Sequence, residues 1–384
     1  MVALGFVNLI EMMKTNKLII STLLIFLGLA VQCKEKPTEN SPEKYNTKAM
    51  ITNMATHYII PAYANYKAET VSLLNAVNTF TSSPNESNLT ACQTQWKTTA
   101  LAWQNVAMLE FGPAEGMSLK SQTNIFPVDT TLIKSNITSN TYDLQLPSNF
   151  DAKGLQSLDY LLFLPLLTNA EIVSYYNTTA NAKIYLTSVS SELNTNATTV
   201  NNDWNSSYKT AFINNVESNA VGTSVSNMIN GLSLHFEGFV RKGKIGIPLG
   251  VFNGISQQTM PGHVEGFYSG HSVDLAVQSM QSIKEYLTGK TFSSNTNGEG
   301  LSDYLDFVKA ENNDQNLSVI INEKIDLILT NLTVLSPTVN DAISNNNAAV
   351  HTVYQSMQQL VPLIKVEMTS NLGVLISYQD SDGD

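Results

Sequence analysis

Charge is scarce in this chain of 384 residues: Asp, Glu, Lys and Arg make up 14%, against about a quarter in ordinary soluble domains. Basic residues number 21 and acidic residues 32, and no Lys/Arg cluster occurs. A nucleic-acid face needs concentrated positive charge to displace counterions, so nucleic acid is excluded as a partner. Cysteine is almost absent. With only Cys33 and Cys92 there is no disulfide framework, and the fold must stand on its core. No His-Glu-x-x-His pattern occurs, which removes the helical zinc-protease signature. Apolar runs long enough to cross a bilayer are missing too: Leu18 to Val31 stops after about 14 residues, short of the roughly 20 a spanning helix needs.

That short run follows Lys14 and Lys17, the arrangement of a secretory signal. Translation from Met13 would give the tidier basic segment. Leu29-Ala30-Val31-Gln32-Cys33 resembles a lipoprotein cleavage site, with Gln32 where a small residue is usual. Residues 1–32 are therefore expected to be a lipoprotein signal peptide. Cys33 would be the acylated anchor to the lipid membrane, and the chain would be exported to the bacterial outer membrane or periplasm; a plain secreted protein is the alternative. Residues 33–44, polar and carrying Pro37 and Pro42, read as a flexible tether. Cys92 sits in a helical pattern with no neighbouring histidine and reads as a buried structural thiol.

What is abundant is helical periodicity. Tyr63, Tyr66, Thr70, Leu73, Val77 and Phe80 are spaced three and four apart, one stripe of one helix that Pro84 ends. Trp96, Ala100, Trp103 and Ala107 form a second stripe running to Gly112-Pro113, and Gly154 to Leu164 a short apolar helix closed by Pro165. Tyr175 to Val200 reads as a long helix, Lys242 to Gly262 as a Gly/Pro-rich crossover loop, and Val264 to Leu287 as helix again. Ile321, Ile325, Ile328, Leu332 and Leu335, then Val353, Met357, Leu360 and Ile364, are seams of antiparallel bundles. The fold class is all-α, in two helical-bundle subdomains placed at 45–167 and 168–384.

An ordered set of segments resembles the imelysin family, a family also described as peptidases. The set runs through Ala102-Trp103, Glu110-Phe111-Gly112-Pro113, Phe126-Pro127, Gly154 to Phe163, Trp204, Lys242 to Gly250, Val264-Glu265, Tyr268 to Ser272 and Leu372-Gly373-Val374. The resemblance covers nearly all of the chain from Tyr45 onward. It implies two helical bundles in one unit and an envelope location beside iron-uptake systems.

The family's hallmark is Gly-x-His-x-x-Glu, in which His and Glu one turn apart can reach one metal ion. The matching positions here are Gly154, Gln156 and Asp159. Gln156 is a poor metal ligand, and a hydrolytic zinc site needs three protein ligands and an open position. Asp159 is then either a retained ligand group or a buried carboxylate locking one helix to its neighbours. His263, Glu265, Ser269, His271 and Ser272 form a second candidate cluster. With Asp159, Glu265 could complete a metal site for iron or another cation; otherwise these residues cap a helix and hold the crossover loop. Glu110 faces either the same cleft or solvent. The reading that follows is an envelope lipoprotein that binds an unknown small ligand linked to iron or other solute uptake. Its alternatives are a metallopeptidase and a lipoprotein that docks another envelope protein.

Overall fold

A computed structural model describes residues 44–335 and 337–378. The expected signal peptide, Cys33 and the rest of the expected tether up to residue 43 lie outside the described residues. The described chain is helical apart from loops and one hairpin of two-residue strands, Glu311–Asn312 against Gln315–Asn316.

In the first bundle, α1 (Ile60–Ser82), α2 (Glu86–Gln104), α3 (Gly154–Leu162) and α4 (Ala180–Asp203) pack together. The α1 stripe is buried as its spacing predicts: Tyr63, Tyr66, Thr70, Leu73, Val77 and Phe80 all face inward. Helix α1 ends at Ser82 before Pro84, and the Asn85 side chain accepts from the Asn88 N–H to start α2, satisfying a donor the helix cannot. Trp204 lies at the end of α4, fully buried against Tyr63, Phe111, Tyr208 and Phe212. Burying a ring of that size contributes about 1.5–3 kcal/mol. Pro165 and Leu166, whose φ is +66°, break the chain after α3, yet α4 beyond them packs on α1. In the second bundle, α5 (Ser272–Leu287), α6 (Leu317–Thr333), α7 (Asn347–Pro362) and the wide π-helix His235–Gly246 pack together, and α5 also touches α2. Ile321, Ile325, Ile328 and Leu332 on α6 and Val353, Met357 and Leu360 on α7 supply the seam.

Four stretches depart from the sequence reading. Helix α2 stops at Gln104 rather than at Gly112, because residues 105–108 close tighter turns. Tyr175 falls in a separate helix, Asn169–Thr178, started by a reciprocal Thr168/Glu171 cap. Lys242 to Leu249 is helical, not loop, since the π-helix runs into Ile247–Leu249. Residues 264–270 are turns, with Gly266 and Gly270 in the left-handed region at φ +65° and +73°.

Candidate functional site

Helix α3 is buried along its whole length, so its backbone position is set by what touches it. The Trp96 indole donates to the Leu155 carbonyl at 2.8 Å, and Gln93 donates to the Leu162 carbonyl at 2.9 Å. Tyr176 donates to Leu161 O at 3.0 Å. Gly154, at φ +75°, passes so close to the Thr123 carbonyl that a Cβ would overlap it; only glycine fits there.

Gln156 and Asp159, one turn apart, both point at the 264–270 loop. Asp159 accepts from two backbone N–H groups, Tyr268 to Oδ2 at 2.9 Å and Ser269 to Oδ1 at 3.0 Å. Gln156 Oε1 accepts from Gly266 N at 2.9 Å, while its Nε2 donates to Asn124 Oδ1 at 2.8 Å. Together the two side chains clamp the loop. Burial pushes the Asp159 carboxyl up to about 7, against the opposing pull of the Ser269 side chain and the two N–H donors.

The clamp continues into a buried polar chain. Asn124 Nδ2 donates to Glu265 Oε1 at 2.7 Å, and Gln104 Nε2 donates to the same oxygen at 2.9 Å. Lys244 donates to Gln104 Oε1 at 3.0 Å and forms an ion pair with Glu265 Oε2. Glu265 and Lys244 are both buried. Burial, then the charge of nearby Lys120, holds the Lys244 ammonium below its ordinary value. Lys120 itself is pushed down to about 8 by burial, with Glu110 opposing; its Nζ lies 3.9 Å from the Phe239 ring centroid. Glu110 accepts from the Lys120 backbone N–H at 3.2 Å to each oxygen, and burial raises its carboxyl.

The structure thus brings together Gln156, Asp159, Glu265 and Ser269. Glu110 is engaged instead with the Lys120 backbone. His263 stands in the short turn Pro261–His263. His271 bonds Asp274 at 3.0 Å and stacks on Trp96, and Ser272 Oγ accepts from Val339 N at 2.9 Å. The sequence reading missed Gln104, Asn124, Lys120 and Lys244. For the two lysines a signal existed, since lysine inside an apolar, low-charge segment must find a partner or lose its charge. For the two amides there was none.

In this arrangement Asp159 and Glu265 are engaged with protein donors. Both Asp159 oxygens already face N–H donors, and both Glu265 oxygens accept from an ammonium or from amides. Among the described residues no group of three or more His, Cys, Asp and Glu is placed to hold a cation.

Comparison with known proteins gives a consistent picture. The family model described as imelysin, a peptidase family, matches residues 59–366. The curated iron-regulated protein A of Synechococcus elongatus is 25% identical over 122 residues, covering 30% of this chain and 33% of that protein; the match spans about a third of that relative. The crystal structure of an iron-regulated protein A precursor from Parabacteroides distasonis superposes with a TM-score of 0.70 at 18% identity, covering 87% of this chain and 97% of the other. That of an imelysin-like protein from Psychrobacter arcticum gives 0.67 at 19% identity, over 86% and 96%. At such identities the superpositions speak to the fold.

Proposed function

This chain belongs to the imelysin family, and on that premise we propose that it is a non-enzymatic binding protein of the bacterial envelope, tied to uptake of iron or another solute. One observation carries the reading. Both hallmark side chains hold a loop: Asp159 closes on Tyr268 and Ser269, and Gln156 on Gly266. Both Asp159 oxygens are turned to backbone donors of the loop rather than to an open position, which supports a holding role over a hydrolytic one. The helix that bears them lines a cleft of about 400 Å³ with Tyr160, Leu161 and Tyr175, within the size range of small-ligand sites. Tyr160 packs edge-on against Tyr268 of the clamped loop at 5.1 Å, so the clamp also sets the cleft wall. The name iron-regulated protein A, borne by relatives, motivates the link to iron. Anchoring through an acylated Cys33 belongs to the same proposal. Among the described residues no helix is long and apolar enough to cross a membrane, so such an anchor is what would hold the chain at one.

The test is elemental analysis of the full chain purified in detergent, calorimetric titration with ferric, ferrous, zinc and calcium ions and with haem, and a casein-cleavage assay with and without chelator. Binding of iron or haem without cleavage supports the proposal. Chelator-sensitive cleavage abolished by Asp159→Asn overturns it in favour of a metallopeptidase, and no binding of any probe also counts against it.

A further inference from the structure

A second concavity, away from the hallmark helix, has a different chemistry. It is a groove of about 510 Å³ between α1, α2, α5 and the loop that follows α5. Asn65 and Glu69 stand one turn apart on α1; Asn105 follows α2; Gln278 and Glu285 lie two turns apart on α5; Phe292 comes from the loop. We propose that this groove binds a neutral, polyhydroxylated ligand, a saccharide unit.

The groove carries two carboxylates and one lysine, so one negative charge is left over. Glu285 is paired with Lys290 at 2.7 Å and accepts from Gln281 at 3.1 Å, and Glu69 accepts from Gln95 at 2.7 Å. With one lysine already engaged, the lining has no basic excess for a phosphate or carboxylate. Glu69 keeps its charge and can accept from a ligand hydroxyl as well as from a cation, so a trilysine probe separates the two. An apolar ligand would cover the open Asn65 carboxamide and the Gln278 oxygen without giving them partners. What remains open is the Asn65 carboxamide, both donor and acceptor, and the Gln278 carboxamide oxygen, an acceptor, which together match hydroxyl groups that both donate and accept.

Two of the amides, Asn105 and Gln278, are set in place before any ligand arrives. Asn105 Oδ1 accepts from Gln278 Nε2 at 3.0 Å and from Ser282 Oγ at 2.7 Å. The carboxamide oxygen of Gln278 and the whole carboxamide of Asn65 have no hydrogen-bond partner among the described residues. Phe292 is equally fixed: its N–H donates to the His57 carbonyl at 2.8 Å, and its ring meets Tyr58 edge-on at 6.2 Å. The anchored ring beside the fixed Gln278 oxygen and the open Asn65 carboxamide gives a sugar an apolar face and a polar edge.

The experiment is calorimetry and saturation-transfer NMR on the full chain in detergent. The probes are maltotriose, N,N′,N″-triacetylchitotriose, citrate and a trilysine peptide, tested on the wild type, Asn65→Ala, Gln278→Leu and Asp159→Asn. The expected result is one-site binding of a neutral oligosaccharide, weakened about tenfold by each of the first two substitutions and unmoved by Asp159→Asn, with all variants equally folded by circular dichroism. Three results would overturn the proposal: no saccharide binding up to about 10 mM, binding that survives both groove substitutions, or preference for citrate or trilysine. A loss confined to Asp159→Asn would also overturn it, while leaving the reading of the hallmark site standing.

Discussion

A buried carboxylate held by two N–H groups leaves a signature in the pH dependence of stability. Asp159 is fully buried and its carboxyl is raised from 3.8 to about 7, chiefly by desolvation. A raised folded pKa means that the native state holds the proton more tightly than the unfolded chain does. The stabilisation is therefore complete below the unfolded value and is lost as pH rises through the folded one. Across about three pH units, at 1.36 kcal/mol each, the loss is of order 4 kcal/mol between pH 4 and pH 7. Asp159→Asn removes the titration. It also sets an NH₂ against one of the two backbone donors, costing about 1–3 kcal/mol by leaving that donor unpaired. The variant should be the less stable protein at acid pH, and the gap should close or invert towards neutrality. Urea denaturation of both proteins at about pH 4.5, 5.5, 6.5 and 7.5 measures this directly, because every other titrating group cancels in the difference. A difference free energy that stays flat, or one in which the wild type gains on the variant as pH rises, would refute the reasoning.

Three further outcomes follow from the same geometry. Gly154→Ala, which meets the Thr123 carbonyl at a positive φ, should cost more than about 3 kcal/mol in thermal or chemical denaturation; Gly116→Ala, with open space around it, should be neutral or mildly stabilising. Lys244→Met leaves Glu265 buried without its cation and should destabilise by about 3–5 kcal/mol, part of it recovered in the Lys244→Met/Glu265→Gln double variant, whose carboxamide oxygen can still accept from Gln104 and Asn124. Cys92, buried and with its thiol pushed up to about 12, should resist a maleimide in the native protein and react once urea unfolds it; labelling at the native rate of a free thiol would contradict its placement.

The parts of the fold legible in the sequence were those whose cause is local. The α1 stripe and the seams of α6 and α7 follow from spacing alone, because a helix with one buried face must repeat its apolar residues every three or four positions. The misread stretches have non-local causes. The start of α5 at Ser272 depends on Gly266 and Gly270 in left-handed conformations and on Gln156 and Asp159 taking the loop's N–H groups from more than a hundred residues away. The π-helix over Lys242 to Gly246 bonds i to i+5, so its buried positions miss the spacing that a helix search expects, and its glycines look like loop. The site divides in the same way. Gln156 and Asp159 were visible as a spaced pair. The chain Gln104, Asn124, Lys244 and Glu265 is assembled from four separate segments, and no single segment hints at the others.

The substitution that blunts the hallmark motif has a further consequence. Gln156 accepts with one end of its carboxamide and donates with the other, and neither role depends on a proton. An imidazole in its place could do both only while neutral; once protonated it would turn a ring N–H towards the N–H of Gly266. This half of the loop's fastening is therefore blind to acidity. Of the two hallmark side chains, only the aspartate one turn further along the helix can make the loop sensitive to the pH of its surroundings.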